Sequence, residues 1–536
     1  MADPGRSPAR ERVLFVGWDA ADAALVDRWC AQGLMPNLSR MRLRGASARM
    51  RTTADVFHVS AWPSIFTGTT PDKHGLYHAY VMRPGHQGLL RPRPDQTPFP
   101  FLWKLLSDQG KRSVVMDAFL TCPLREFNGV QIVDWGSWSW FWEPTMIPGS
   151  LKEEIRRRFG PYPSDDHSKV GMTPVDDIAG FRRRLLAAVQ KKTEVLKWLI
   201  RKEDWDFFLV VFGECHPAGH YFWHLYDSSY ITHPNEVPEG LHTALRDVYV
   251  ALDSAVGELL GSVDRRTTVW LVSGDGMTAN YSGSHILTDV LTRMGALNAS
   301  SVQGGHPESG GDTGRRDVLS TLRNMIPETV RIAISRALLS RQVQEQLSLR
   351  WKTAGISWPE TRAFVIENAN EGYIRVNLKG REPEGTVSPG EEYENLCEKI
   401  YRTARSFINP ATGQAAALAV YKTDDSFGGP CRDHMPDLVI VWDPGARVTT
   451  ELSMEQYGLV RVEHPNCGVA PYYTGNHWPN AFVAAVGPGV PDGLTLQGAS
   501  ILDLAPTILA RFGVEVPAYM DGRVLPELTR GTRITG

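Results

Sequence analysis

The sequence predicts an α/β protein with a largely parallel central sheet flanked by helices, plus inserted cap regions. Short apolar runs alternate with longer amphipathic segments, the pattern of strands joined by crossover helices. Several of those runs end in acids or histidines: Val13-Leu-Phe-Val-Gly-Trp-Asp19, Asp206-Phe-Phe-Leu-Val-Val-Phe-Gly-Glu214-Cys-His216, and Thr267-Thr-Val-Trp-Leu-Val-Ser-Gly274-Asp275. Ligands collect beyond the carboxyl ends of such strands, so Asp19, His216, Asp275 and His477 are expected on one rim. At 536 residues the chain is long enough to bury a sizeable core.

Composition narrows the class. A hydrophobic content of 42% with 22% charged residues is ordinary for a globular protein. The net charge of −3 argues against an extended nucleic-acid surface. The polar N-terminal stretch lacks a secretory apolar run, and no stretch approaches the ~18 apolar residues of a membrane span. A cytoplasmic location without membrane attachment is expected. Cys30, Cys122, Cys215, Cys397, Cys431 and Cys467 are scattered without Cys-x-x-Cys spacing, which reads as reduced thiols rather than a disulfide framework or a cysteine zinc site.

Taken in order, the first strand leads to Asp19, and Pro36-Asn37-Leu38 starts a helix. Residues 84–204 read as an inserted cap, with an aromatic run from Trp135 to Trp142 and a basic helical stretch from Phe181. The second strand runs into His216-Pro-Ala-Gly-His220, whose i, i+4 spacing places both rings on one helix face. The third strand ends at Gly274-Asp275, and the nearby Asn280, Tyr281 and His285 are candidates to bind substrate. Residues 301–360 combine a Gly-rich loop with a helical pattern and form a second insertion. The phrase from Asn370 to Arg381 alternates like a strand, Thr474-Gly-Asn-His477 precedes the strand from Ala481, and Leu502-Asp-Leu-Ala-Pro506 opens a last helix. The catalytic core is thus expected over 11–83, 205–300 and 361–530.

The loop His58-Val-Ser-Ala-Trp-Pro-Ser-Ile-Phe-Thr67-Gly68-Thr-Thr-Pro71-Asp-Lys73-His74-Gly75 resembles the alkaline phosphatase superfamily, in its type I phosphodiesterase/nucleotide pyrophosphatase branch. There a nucleophilic Thr, Ser or Cys lies nine positions before the Thr-Gly pair, and here that position is His58. The resemblance implies an alkaline-phosphatase-like core and two metal sites. Its first site falls on His216, His220 and His477, and three neutral imidazoles with an open fourth position are a good zinc set. Its second falls on Asp19, His58 and Asp275, with Gly274 where an acid ligand is usual. That mixed set suits zinc, manganese or iron.

His58 is open to three roles: a covalent nucleophile through a ring nitrogen, a ligand to the second metal, or a structural histidine. The expected activity is metal-dependent hydrolysis of a small-molecule phosphodiester, nucleotide or related phosphate or sulfate ester. Alternatives are a phosphoryl- or sulfuryl-group transferase working through His58, and a non-catalytic nucleotide-binding member.

Overall fold

The strand Arg12–Trp18 shows how the core is built. Its residues alternate between two apolar layers, Leu14, Val16 and Trp18 in one and Val13 and Phe15 in the other. The strand Phe207–Phe212 divides in the same way, with Phe208, Val210 and Phe212 opposite Phe207, Leu209 and Val211. A strand that is apolar on both faces requires helices above and below the sheet, as in doubly covered α/β folds. The computed structural model describes residues 10–136, 144–163, 178–232, 234, 237–298, 356–463 and 473–529.

The main sheet has nine strands in the order Leu494–Thr495, Ala46–Met50, Ala481–Val486, Thr267–Ser273, Arg12–Trp18, Phe207–Phe212, Ser113–Met116, Gly129–Val133 and Thr145–Ile147. Five of its eight pairings are parallel and three antiparallel, so the sheet is largely parallel as expected. Arg12–Trp18 lies between Phe207–Phe212 and Thr267–Ser273, both parallel to it. The three chain segments that follow these strands therefore leave the sheet side by side.

Residues 84–204 contribute strands to the main sheet and a helix to its covering layer. Ser113–Met116, Gly129–Val133 and Thr145–Ile147 are strands of the main sheet, and the helix Ile178–Lys202 packs on Ala244–Leu260 over one of its faces. These strands have only three to five residues and are too short to stand out as apolar runs beside the tryptophan-rich loop. Trp135 packs edge-on against Tyr162, with ring centroids 5.1 Å apart, and residues 137–142 of the aromatic run lie outside the described residues. So does nearly all of the 301–360 insertion.

A four-stranded antiparallel sheet, ordered Ala417–Lys422, Leu438–Trp442, Gly372–Val376 and Ala363–Ile366, has its own apolar cluster including Phe364, Tyr373 and Ile440. It presents the residues just before Gly372 to the site. A two-stranded ribbon, Gly276–Ala279 against Gly475–Trp478, sets His477 opposite Met277.

Gly475 lets this ribbon reach the helix Cys215–Tyr226. A Cβ at that position would fall 2.1 Å from the Gly219 carbonyl oxygen, and neither backbone has room to yield. Gly475→Ala is expected to cost about 1–3 kcal/mol, the range for overpacking a tight contact. Chemical denaturation checks this, and stability equal to wild type would show that the contact is not tight.

Candidate active site

Each site residue follows from a strand end or a helix start. Beyond Trp18, the Asp19 N–H donates to the Phe212 carbonyl at 2.9 Å, and Ala20 at φ 57° turns the chain off the sheet. Gly17 makes room for Trp62, since a Cβ there would lie 2.5 Å from the indole. The Trp62 Nε1–H can then donate to Asp19 Oδ1 at 2.7 Å. The Ser273 hydroxyl lies 2.7 Å from the Trp18 carbonyl and 2.8 Å from that of Asp275, tying the ends of two neighbouring strands together.

His216 and His220 lie on the helix Cys215–Tyr226, one turn apart, with ring centroids 4.6 Å apart. The strand–helix junction before them is fixed by Lys192. Its ammonium is completely buried, 3.0 Å from Asp117 Oδ2 and 3.1 Å from the Val211 carbonyl, with Glu214 3.7 Å away. Burial opposes its charge, but the two carboxylates outweigh burial and raise its pKa.

The proton positions follow from the partners. His216 Nδ1 lies 2.8 Å from Asp19 Oδ2, His477 Nδ1 lies 2.6 Å from Asp275 Oδ2, and His220 Nδ1 lies 2.7 Å from the Gly475 carbonyl. Carboxylates and carbonyls accept, so each Nδ1 carries a hydrogen and each Nε2 presents a lone pair. Carboxylate and carbonyl partners of this kind orient metal-binding histidines.

The ligand atoms of His216, His220 and His477 all lie within 4.8 Å of one another. The Nε2 atoms of His216 and His477 are 3.1 Å apart. That distance is close to the ~3.3 Å edge of a tetrahedron with metal–nitrogen bonds of about 2.0 Å. Two lone pairs facing each other at this distance need a cation between them, either a proton or a metal ion. Burial lowers the pKa of all three rings, that of His477 to about 3, which keeps them neutral and able to coordinate. Burial, reinforced by the Asp19 charge, raises the pKa of Asp275, and a divalent ion bound at the rings would oppose that shift. These residues can hold a divalent metal.

His58 opens the short turn His58–Ser60 that leads into the helix Ala61–Thr67, and its ring stacks on His477 with centroids 4.5 Å apart. Its Nδ1 lies 2.8 Å from Glu371 Oε2, and its backbone N–H donates to Glu371 Oε1. Burial works against a charged ring, but Glu371 more than offsets this and raises the His58 pKa. Burial likewise opposes the Glu371 charge, yet His58 brings that carboxyl down to about 2.

Asp19, His58, His216, His220, Asp275 and His477 thus meet in one place. Tyr281 lines the cleft beside His477, together with Glu371, Trp442, Asn476 and Trp478. Asn280 instead ties the ribbon together, donating to the Tyr473 carbonyl and accepting from Asn476. His285 Nε2 faces the Thr449 carbonyl at 2.7 Å. Lys73 pairs with Asp521, and His74 Nε2 lies 3.0 Å from the Ser64 hydroxyl, so both brace the loop. The sequence reading missed Glu371 and Trp62. Of these only Glu371 carried a signal, an acid inside a strand-like phrase.

A mainly parallel sheet whose carboxyl rim gathers three imidazoles, two supporting carboxylates and a histidine–glutamate pair defines a metal-site-bearing hydrolase of phosphate esters. The family model described as type I phosphodiesterase / nucleotide pyrophosphatase matches residues 13–466. The chain belongs to that family, a branch of the alkaline phosphatase superfamily. Comparison with curated proteins gives no significant match.

Similar solved structures include phosphonoacetate hydrolase from Sinorhizobium meliloti 1021 in complex with phosphonoformate, 14% identical with a TM-score of 0.48, covering 92% of this chain and 94% of that one. Murine ectonucleotide pyrophosphatase / phosphodiesterase 5 in complex with AMP is 12% identical with a TM-score of 0.44, covering 95% and 96%. The human form is 11% identical with a TM-score of 0.45, covering 96% and 97%.

Asp275→Asn keeps the side-chain shape but removes the charge that orients His477. Zinc affinity is expected to fall ~10–100-fold, the usual loss for such an outer partner, with little change in melting temperature. Competition with a chromophoric chelator measures it, and unchanged affinity would remove Asp275 from the metal site.

Proposed function

We propose that the protein is a zinc-dependent hydrolase of a small-molecule phosphodiester, nucleotide or related phosphate ester, with His58 as nucleophile. The observation that carries this reading is the 2.8 Å contact between His58 Nδ1 and Glu371, at the position where the family has its nucleophile. With Nδ1–H held by the carboxylate, the neutral form of the ring offers its Nε2 lone pair for attack.

In the first step that lone pair forms an N–P bond, and the ester P–O bond breaks with its electron pair leaving on oxygen. The ring becomes cationic, and the buried Glu371 carboxylate stabilises it as a triad carboxylate stabilises imidazolium. Water then attacks phosphorus, the N–P bond returns its electrons to Nε2, and the water proton is released. A divalent ion at His216, His220 and His477 supplies positive charge for the nonbridging oxygens. In this reading Asp19 and Asp275 serve that site by orienting His216 and His477, because Asp19 already accepts from Trp62 and His216, and Asp275 from His477. Tyr281 then contacts the leaving group across the cleft.

A cytoplasmic location belongs to the same proposal. It is supported by the free thiols of Cys30, Cys122, Cys215, Cys397 and Cys431. Among the described residues no helix is long and apolar enough to cross a membrane.

Rapid-quench mass spectrometry during turnover of a chromogenic phosphodiester is expected to show an acid-labile, base-stable phosphoryl adduct on the His58 peptide, absent in His58→Ala. Confirmed turnover without modified His58 at any time would exclude the nucleophile role. Zinc binding without turnover of any phosphate ester would favour a ligand-binding member instead.

A further inference from the structure

Asp55 ends the short turn Thr53–Asp55, three residues before His58. The turn is tied to the rim of the main sheet, because the Thr52 hydroxyl donates to the Gly274 carbonyl at 2.6 Å and accepts from the Ala54 N–H at 3.1 Å. The Phe57 N–H closes it on the Thr53 carbonyl at 2.9 Å. This brings Asp55 into the lining of the cleft that holds Glu371 and His477. Its carboxylate accepts from its own N–H and from that of Val56, and among the described residues no side chain donates to it. Glu371, the other acid of the lining, is already occupied by His58, Asn368, Asn370 and Tyr373.

Among the described residues no lysine or arginine lines this cleft, and its walls include Tyr281, Trp442 and Trp478. Arg447 lies 5.9 Å from the centre of the Tyr281 ring, but its Nη2 faces the Ser229 hydroxyl at 3.4 Å and it stays out of the lining. Asp55 is exposed to the cleft, yet desolvation by the surrounding protein, with the Glu371 charge, raises its pKa, as expected of a carboxylate short of compensating cations.

We propose that the alcohol released in the reaction carries a positively charged ammonium group, recognised by Asp55 and the aromatic walls of the cleft. This rests on the phosphate-ester hydrolase reading above and narrows its substrate class. With phosphorus between His58 and the three-histidine centre, the leaving group extends into the cleft beside His477. A leaving group bearing further phosphates would set anions against Asp55 with no cation in the lining to offset them. An ammonium group instead meets the carboxylate and the electron-rich rings favourably.

The test compares two methyl phosphodiesters of the same shape, one of trimethylammonioethanol and one of its uncharged tert-butyl analogue, on the zinc-loaded full chain. In wild type kcat/KM for the cationic ester is expected to exceed that for the neutral ester ~10-fold, and Asp55→Asn is expected to remove most of that preference, mainly through KM. Both esters are measured on one preparation, so any loss of folded or metal-loaded protein cancels in the ratio. Equal kcat/KM for the two esters in wild type, or a preference that Asp55→Asn leaves unchanged, would overturn the proposal. Cleavage of a chromogenic phosphodiester but of neither alkyl ester would also overturn it and leave the hydrolase reading standing. No turnover of any phosphate ester would overturn that reading, and the proposal with it.

Discussion

The arrangement turns on one contact, the Nε2 atoms of His216 and His477 facing each other at 3.1 Å with both Nδ1 atoms tied to carboxylates. Two lone pairs at that distance repel unless a cation lies between them. Burial lowers the pKa of the rings, so a proton is held only weakly by the imidazoles themselves. A divalent metal meets the same requirement with better geometry, and His220 adds a third nitrogen within reach. Asp19 and Asp275 act on this contact by fixing the tautomers. Glu371 acts separately, on His58.

The fold holds these groups against their mutual repulsion through backbone, not through side chains alone. Two parallel neighbours flank Arg12–Trp18, so Asp19, the His216 helix and Asp275 leave the sheet next to one another. The Ser273 hydroxyl bridges two of these exits, and the buried Lys192 ammonium braces the third. Removing that ammonium would leave Asp117 and Glu214 buried without their counter-charge, a loss typically of about 3–5 kcal/mol. The antiparallel ribbon brings His477 from a distant part of the chain, and its approach depends on Gly475 having no side chain.

Much of this was legible in the sequence. Apolar runs ending in Asp19, His216 and Asp275 marked the rim because buried strands of a parallel sheet have a strong local signature. The His216–His220 spacing marked a helix face for the same kind of reason. Pairing between distant residues was not legible. The bonds from Asp19 to His216, Asp275 to His477 and Glu371 to His58 each join segments about 200 residues apart or more. The strands from 113 to 147 were hidden by their shortness, and Glu371 is placed by a second sheet whose packing against the first no local pattern records. Asn280 and His285 were chosen for nearness in sequence to Asp275, but a ribbon and a turn carry them into backbone contacts.

X-ray absorption at the zinc edge of the loaded protein tests the central contact most directly. The proposed zinc site would show three imidazole nitrogens at about 2.0–2.1 Å. A first shell made mainly of carboxylate oxygens, or a protein that retains no zinc after exchange into metal-free buffer, would contradict it.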